Sequence, residues 1–451
     1  MGGPVKACFA AGSLLTPMHG NCRYVKLAWI GLVAALALPA PARAELVAPT
    51  TSEGLLAVAP DGSPRVAYLS GRDLVLAQRT ASGWVSSGLG HAPAGAVLFG
   101  LVVDSAGRPS VLAEAGNGAW LALASRGRPL RVVARPAHGS SFGPAGLTLD
   151  AAGRPAFAYA VRRRSTKTYL RLVTTDARGR LRTHAITKGG FPASTLVPGA
   201  APVLVRRTLH VVETYTDAAI DWGPKRGGGW EGQFLFASRS GSPQGKVGAA
   251  VTGANLWSSW TEMTGDGPMV LLTLSADTQS TFTAVDSGIF VSLLLAGGRP
   301  EVGAYTWVEL AGSSFVYAGL LADENGPFTE LDGRVDGYAA GPDGTRQLLL
   351  STDSGLQWFQ APGRPSTQVS LSADASGHIS GRVNGATSGV VQIYRELGSA
   401  GRMLVTNAEL AADGSFSAQD AGPTSPTLYR AVYVDPATNI PYASLLRSPV
   451  G

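Results

Sequence analysis

Cysteine is nearly absent from this chain: Cys8 and Cys22 are the only two in 451 residues. Everything downstream of residue 22 is therefore without a disulfide framework or a cysteine-ligated metal. Charge is scarce as well, at 15% of residues, while Gly (58) and Pro (29) are abundant. Aromatic and β-branched residues are spread along the whole chain, which argues against a disordered polymer. Between residues 45 and 360 no useful stretch has helical periodicity, and every alternation that can be followed has period two. His91, His138, His184, His210 and His378 stand apart from one another, with no H-x-x-x-H or H-E-x-x-H spacing. A histidine metal site is not expected, and satisfied surface or core histidines are the default reading. There is also no G-x-S-x-G elbow, phosphate-binding loop, EF-hand loop or dinucleotide glycine fingerprint, so no cofactor and no metal is expected.

The amino terminus reads as an export signal. Arg23 and Lys26 precede an apolar stretch from Leu27 to Leu38, and Ala42-Arg43-Ala44 is a small-x-small cleavage site. Residues 1–44 are expected to be removed, leaving a secreted or extracytoplasmic chain that starts at Glu45. A retained membrane anchor is the alternative, and either Met1 or Met18 could be the start. Both cysteines lie upstream of the cut, and Cys22 precedes the apolar stretch, where a lipid-anchor cysteine would follow it. The leader holds Lys6, Arg23, Lys26 and Arg43 and no acid, so the formal charge of +6 falls to +2 on cleavage. Nucleic acid is not an expected partner at that charge. No stable membrane span is expected after cleavage, and the protein is expected to be monomeric.

What the chain has is a phrase that returns at a fixed step. A turn with Gly and Pro leads into an apolar strand at Asp61-Gly62-Ser63-Pro64, at Asp104 to Pro109 and at Asp150 to Pro155. Gly199-Ala-Ala-Pro202 reads as a weaker copy. The turn glycines Gly62, Gly107, Gly153 and Gly199 stand 45, 46 and 46 residues apart. That is the length of a four-stranded propeller blade. Further turns at Gly265-Asp-Gly-Pro268, Gly298-Arg299-Pro300, Asn325-Gly326-Pro327 and Asp343-Gly344 keep the register. The expected fold is all-β: a six- or seven-bladed β-propeller over 45–360, a Pro-rich linker over 361–367, and a small β-sandwich over 368–451.

Two resemblances accompany this reading. Ser351-Thr-Asp353-Ser-Gly355-Leu-Gln-Trp358 resembles the Asp-box, S-x-D-x-G-x-x-W, of sialidase-like bacterial propellers. The resemblance implies a structural hairpin lock in which Asp353 accepts backbone N–H bonds, Gly355 takes a positive φ and Trp358 packs between sheets. Val285-Asp286-Ser287-Gly288 is a degraded echo. The Phe-Arg-Ile-Pro-like motif of working sialidases is missing. Asp413-Gly-Ser-Phe416 followed by Thr427-Leu-Tyr429-Arg-Ala-Val resembles bacterial immunoglobulin-like or fibronectin type III-like modules. It implies a spacer or adhesive domain, with Tyr429 at the place of a corner tyrosine.

The strongest chemical constellation is the stretch 213–231, read as a turn-rich insertion. Glu213, Asp217, Asp221 and Glu231 lie there among Tyr215, Trp222 and Trp230. Carboxylates beside exposed rings suit a sugar: rings stack on pyranose faces, and carboxylates bind hydroxyls or act as acid and base. The plain alternative is a solvated inter-blade loop with two packing tryptophans. The basic hairpin Arg162 to Lys167 reads as a solvated tip. No catalytic residue is assigned. The expected function is a non-catalytic binding module at or outside the envelope, with a polysaccharide or an envelope protein as partner. The alternatives are a divergent glycoside hydrolase and a structural scaffold.

Overall fold

The computed structural model describes residues 44–444 apart from 50–52, 116, 126–127, 164–166, 188–190, 193–198, 216–217, 238–241, 254, 276–279, 286–287, 311–313, 324–328, 398–401 and 423–427. All but Ala44 of the expected export segment, and the expected turn at Asn325-Gly326-Pro327, fall outside the described residues. So do Asp286 and Ser287 of the Asp-box echo.

Strand follows strand among the described residues, with no helix between them. Seven antiparallel sheets of the same plan come in chain order. Blade 1 spans 54–91, blade 2 spans 96–134 and blade 3 spans 140–192. Blade 4 spans 200–237, blade 5 spans 242–285 and blade 6 spans 289–332. Blade 7 takes its three inner strands from 334–361 and its outermost strand, Glu45–Ala48, from the other end of the described chain. The innermost strand of each blade, Gly146–Leu149 in blade 3 and the first strand elsewhere, lies against the innermost strand of the next, and blade 7 lies against blade 1. This closed ring is a β-propeller, with the first strands lining a central channel.

The apolar runs that follow each turn phrase are the second strands, and most are buried on both faces. Pro109–Ala115 and Pro155–Arg163 are examples. Blades stack face to face, so these strands carry continuous apolar sequence rather than alternation. The core is accordingly divided into seven clusters, one between each pair of neighbouring blades. Val47 and Ala48 of the closing strand join Val66 and Tyr68 of blade 1 and Trp358 of blade 7 in one of them.

The recurring phrase is a physical lock. One Asp104 oxygen accepts the Ala106 and Arg108 N–H groups at 3.0 and 2.9 Å, and the other takes the Arg108 guanidinium at 2.9 Å. Asp150 repeats this with Ala152 and Arg154. Asp176 does the same for the backbone of Arg178 and Arg180, a copy that the repeat had not included. Gly107 and Gly153 sit at φ of 75° and 68°, where a side chain would be strained. The weak copy at Gly199 is a correction. Residues Ala200–Val205 are the first strand of blade 4, and its turn is Arg206-Arg207, both at positive φ.

The Asp-box residues also need correction. Gly355 does take a positive φ of 111°, and Trp358 is buried edge-on against Trp84 with centroids 5.9 Å apart. Thr352, however, closes the hairpin: its Oγ1 donates to the Gly355 carbonyl and accepts the Ser354 N–H at 3.2 Å each. Thr80 and Thr264 contact Gly83 and Gly267 in the same way. Ser351 donates to Asp336 in the preceding strand at 2.8 Å, and the Asp353 side chain is 86% exposed. A three-residue-spaced Thr and Gly is therefore the hairpin signal here.

Beyond blade 7, two further sheets face each other. Gln368–Ala373, His378–Asn384 and Ser415–Gln419 form one. Val390–Glu396, Arg402–Glu409, Leu428–Val434 and Pro441–Ala443 belong to the other. Leu371, Ile379 and Phe416 from the first pack with Ile393 and Ala431 from the second. The second sheet does not end there: Tyr442 pairs with Leu331, so it runs on into blade 6 as one eight-stranded sheet. The expected free linker is tied down as well. Arg364 pairs with Asp323, and the Pro365 carbonyl accepts the Thr329 hydroxyl at 3.0 Å. Tyr429 is fully buried and donates to the Asp420 carboxylate at 2.7 Å, whereas a tyrosine corner bonds backbone.

Burial works to raise the Asp104 carboxyl, but its bonds to Arg108 and to the turn backbone hold it below the ordinary value. Asp104→Ala is expected to cost about 1–2 kcal/mol. Asp353→Ala should change stability by less than about 0.5 kcal/mol, because its carboxylate is exposed. Urea midpoints of the two variants check this; equal losses would restore Asp353 as the lock.

Candidate functional site

The stretch 213–231 is not an insertion. Thr208–Tyr215, Ala218–Pro224 and Trp230–Ala237 are three paired strands of blade 4 itself. The strand register then divides the expected sugar site between two faces. Glu213, Trp222 and Trp230 face blade 3, where both tryptophans pack on the shared core. Asp221 and Glu231 lie on the opposite face. Glu213 is fully buried and accepts the Trp222 indole N–H at 3.0 Å. Asp221 is bonded to His210 at 3.1 Å, and Glu231 is exposed. Asp217 and the Tyr215 side chain lie outside the described residues. The structure does not bring this set into one site.

Rings and charges converge instead where blades 6 and 7 meet the carboxy-terminal sandwich. The second and third strands of blade 6, Arg299–Leu310 and Ser314–Asp323, are its longest. Their pairing continues past the ends of both outer neighbours, so residues 306–310 and 314–318 stand out as a two-stranded ribbon. Period two places Tyr305, Trp307, Phe315 and Tyr317 on one face of it, with Trp307 directly opposite Tyr317. Trp307 is 39% exposed and Phe315 46%, an unusual outlay of apolar ring surface. The Arg334 guanidinium lies 5.8 and 5.7 Å from the Tyr305 and Tyr317 rings, within cation–π range.

Phe315 and Tyr317 wall a cleft of about 300 Å³. Asp332, Arg334 and Asp353 line its propeller side, and Glu396, Arg402 and Arg430 line its sandwich side. Arg402 bridges the two bodies: it donates to Asp332 at 2.7 Å and lies 3.6 Å from Asp353. Arg430, almost fully buried, donates to the carbonyls of Tyr317 and Leu331 at 3.1 and 3.2 Å. Glu396 sits opposite Arg402 in the strand register, yet its Oε1 is buried without a hydrogen bond. Burial pushes the Glu396 carboxyl up, with Arg430 and Arg402 pulling against it. The cleft thus offers a ring surface for stacking, fixed guanidinium donors, an arginine-paired carboxyl at Asp332 and a buried carboxyl at Glu396.

Sequence reasoning missed this site because its parts come from three separate stretches. One signal was present in the sequence: rings at i and i+2 on both sides of the small, polar stretch Ala311-Gly312-Ser313, a pattern that marks a hairpin with a ring-lined face.

The chain is an all-β protein of β-propeller type, with two further sheets after the ring, one of them continuous with a blade. No family model matches it, and no curated protein matches it. Among solved structures, a gluconolactonase is similar at 16% identity and a TM-score of 0.36, over 63% of this chain and 93% of that one. The WD40 domain of SCAP from fission yeast is similar at 12% identity and a TM-score of 0.36, over 90% and 94%. A protein of unknown function from Dyadobacter fermentans is similar at 9% identity and a TM-score of 0.42, over 71% and 98%. The fold assignment rests on the chain's own ring of sheets.

The buried carboxyls of the ring have a consequence for pH. Burial pushes Glu213 up to about 7, against the Trp222 bond, and Glu114 up to about 8, against the Ala145 N–H. Both lie above the unfolded value, so the stability they contribute is complete below about pH 4.5 and is lost as pH rises through the folded values. Stability should fall between pH 5 and 7 by up to about 1.4 kcal/mol per pH unit for each group. Glu114→Gln and Glu213→Gln should flatten that slope in denaturant titrations; an unchanged slope would remove these groups as its cause.

Proposed function

We propose that the protein is an exported binding propeller that holds a carbohydrate in the cleft between blade 6, blade 7 and the sandwich. The carrying observation is the exposed ring face of Trp307, Phe315 and Tyr317 beside Arg334 and the Arg402–Asp332 pair. Rings of this kind stack on the apolar faces of pyranoses, and fixed guanidinium and carboxylate groups bond the hydroxyls. The cavity is at the lower end of the size of small-ligand sites. In this reading residues 1–44 are the export signal, cut after Ala44. The immunoglobulin-like sandwich supplies one wall of the site rather than acting as a spacer.

The test is a binding screen of residues 45–451 against cell-wall polysaccharide fragments by calorimetry. Trp307→Ala/Tyr317→Ala should weaken any binding at least tenfold, with the melting temperature little changed because both rings are exposed. Trp230→Ala, in blade 4, should leave affinity within about twofold. Loss in the blade 4 variant alone would return the site to residues 213–231. A screen without binding would favour an envelope protein as the partner.

Glu396 favours a second reading, glycoside hydrolysis. A carboxyl raised by burial, facing a cleft that also holds the arginine-paired Asp332, is the pairing that acid-catalysed glycoside cleavage uses. Any glycosidase activity found should fall at least a hundredfold in Glu396→Gln, while fragment affinity stays within a few-fold. Retained turnover in that variant would exclude Glu396 as the acid.

A further inference from the structure

The innermost strands of four blades carry a β-bulge, at Phe99 in blade 2, Gly245-Lys246 in blade 5, Val291 in blade 6 and Asp336 in blade 7. A bulge frees one residue from the ladder and re-aims it. Phe99, Lys246, Val291 and Asp336 all line the same cavity of about 210 Å³ in the central channel. The rest of that lining is mostly apolar, with Leu56, Leu101 and Leu147 among its members. Lys246 and Asp336 are its two charged residues.

These two are in different states. Asp336 is fully engaged: it accepts the Gly54 N–H, the Ser351 hydroxyl and the Arg334 Nε, each at 2.8 Å. Its neighbour Glu53 lies 3.5 Å from Arg334. Lys246 makes no direct hydrogen bond or ion pair among the described residues, although Glu53 and Asp336 act on it through space. Only six of the chain's 37 basic residues are lysine, so the amine stands in the channel of a protein that otherwise uses arginine. The distinction matters chemically: an amine can lose its proton and attack carbon, whereas a guanidinium stays charged.

We propose that Lys246 is a reactive amine that captures small aldehydes entering the central channel. The Lys246 Nζ lone pair adds to the carbonyl carbon, and the resulting carbinolamine loses water to leave an imine, so that amine and aldehyde give imine and water with no redox partner. An uncharged carbonyl compound suits the site better than an anion, because an anion would have to leave water beside Asp336 and Glu53. Burial supports the free amine by pushing Lys246 down to about 8, with Glu53 and Asp336 pulling the other way. At pH 7 about one such amine in ten is unprotonated, against about one in 2,500 for an ordinary lysine. This site is separate from the carbohydrate cleft and does not depend on it.

The experiment is reductive trapping on residues 45–451 with glyceraldehyde and cyanoborohydride at pH 7, read by peptide mass mapping. Lys246 should be modified at least tenfold faster than the exposed Lys225. Glu53→Gln removes a carboxylate that favours the ammonium, and should speed the reaction at Lys246 several-fold. Lys246→Arg should abolish the fast adduct and leave polysaccharide-fragment binding unchanged. Labelling of Lys246 no faster than Lys225, or no acceleration in Glu53→Gln, would overturn the proposal. Acetate binding at Lys246 without any aldehyde adduct would overturn it in favour of an anion site.

Discussion

Closure of the ring depends on how closely first strands can approach one another. A Cβ on Gly100 would stand 2.6 Å from Leu147 of the next blade, one on Gly146 2.7 Å from the Ala200 carbonyl, and one on Gly337 2.5 Å from Leu56. Gly199 and Gly248 meet blades 5 and 6 in the same manner. Five of the seven junctions therefore have no room for a side chain on one partner. Backbone against backbone keeps the channel narrow, and a narrow ring leaves the wide outer parts of the blades to be filled by Leu, Trp and Phe. These five glycines answer to inter-blade spacing, beside the larger number that serve turns at positive φ.

With the inner strands so tightly placed, variation is confined to where the ring can tolerate it. The bulges put Lys246 and Asp336 into the channel without widening it. The lengthened hairpin of blade 6 lifts its rings clear of the sheet. Both are departures from the repeated plan, and both bring polar or ring-bearing groups together from stretches distant in sequence. Arg334 stands between the two places, bonded to Asp336 on the channel side and stacked on Tyr305 and Tyr317 on the cleft side.

Much of the architecture was legible because it is local. An Asp that bonds the N–H groups two and four residues on, followed by a positive-φ Gly and a Pro at the strand start, is written into consecutive positions such as Asp104 to Pro109. The phrase failed where the lock is made differently, as at Arg206-Arg207. The site was not legible for the opposite reason. Whether Trp222 and Asp221 share a face depends on strand register, and a stretch read as a loop has none. Glu396, Arg402 and Asp332 meet only because a sandwich strand pairs with blade 6, through Leu331 and Tyr442, more than a hundred residues apart. Asp353 was singled out for a motif it does not serve, and it lies at the cleft instead.

That shared sheet sets the mechanics of the cleft. Its two walls are not separate bodies on a hinge; Leu331 and Tyr442 sit in one continuous ladder, and Arg402 and Arg430 fasten the walls again from either side of it. Backbone pairing and two arginines across the walls favour a preformed cleft over one that gapes and clamps. A ligand would meet rings and guanidinium groups already in place, with little ordering left to do on arrival. Recognition would then be a matter of shape at first encounter, with selectivity expressed mainly in how slowly a well-fitting ligand leaves.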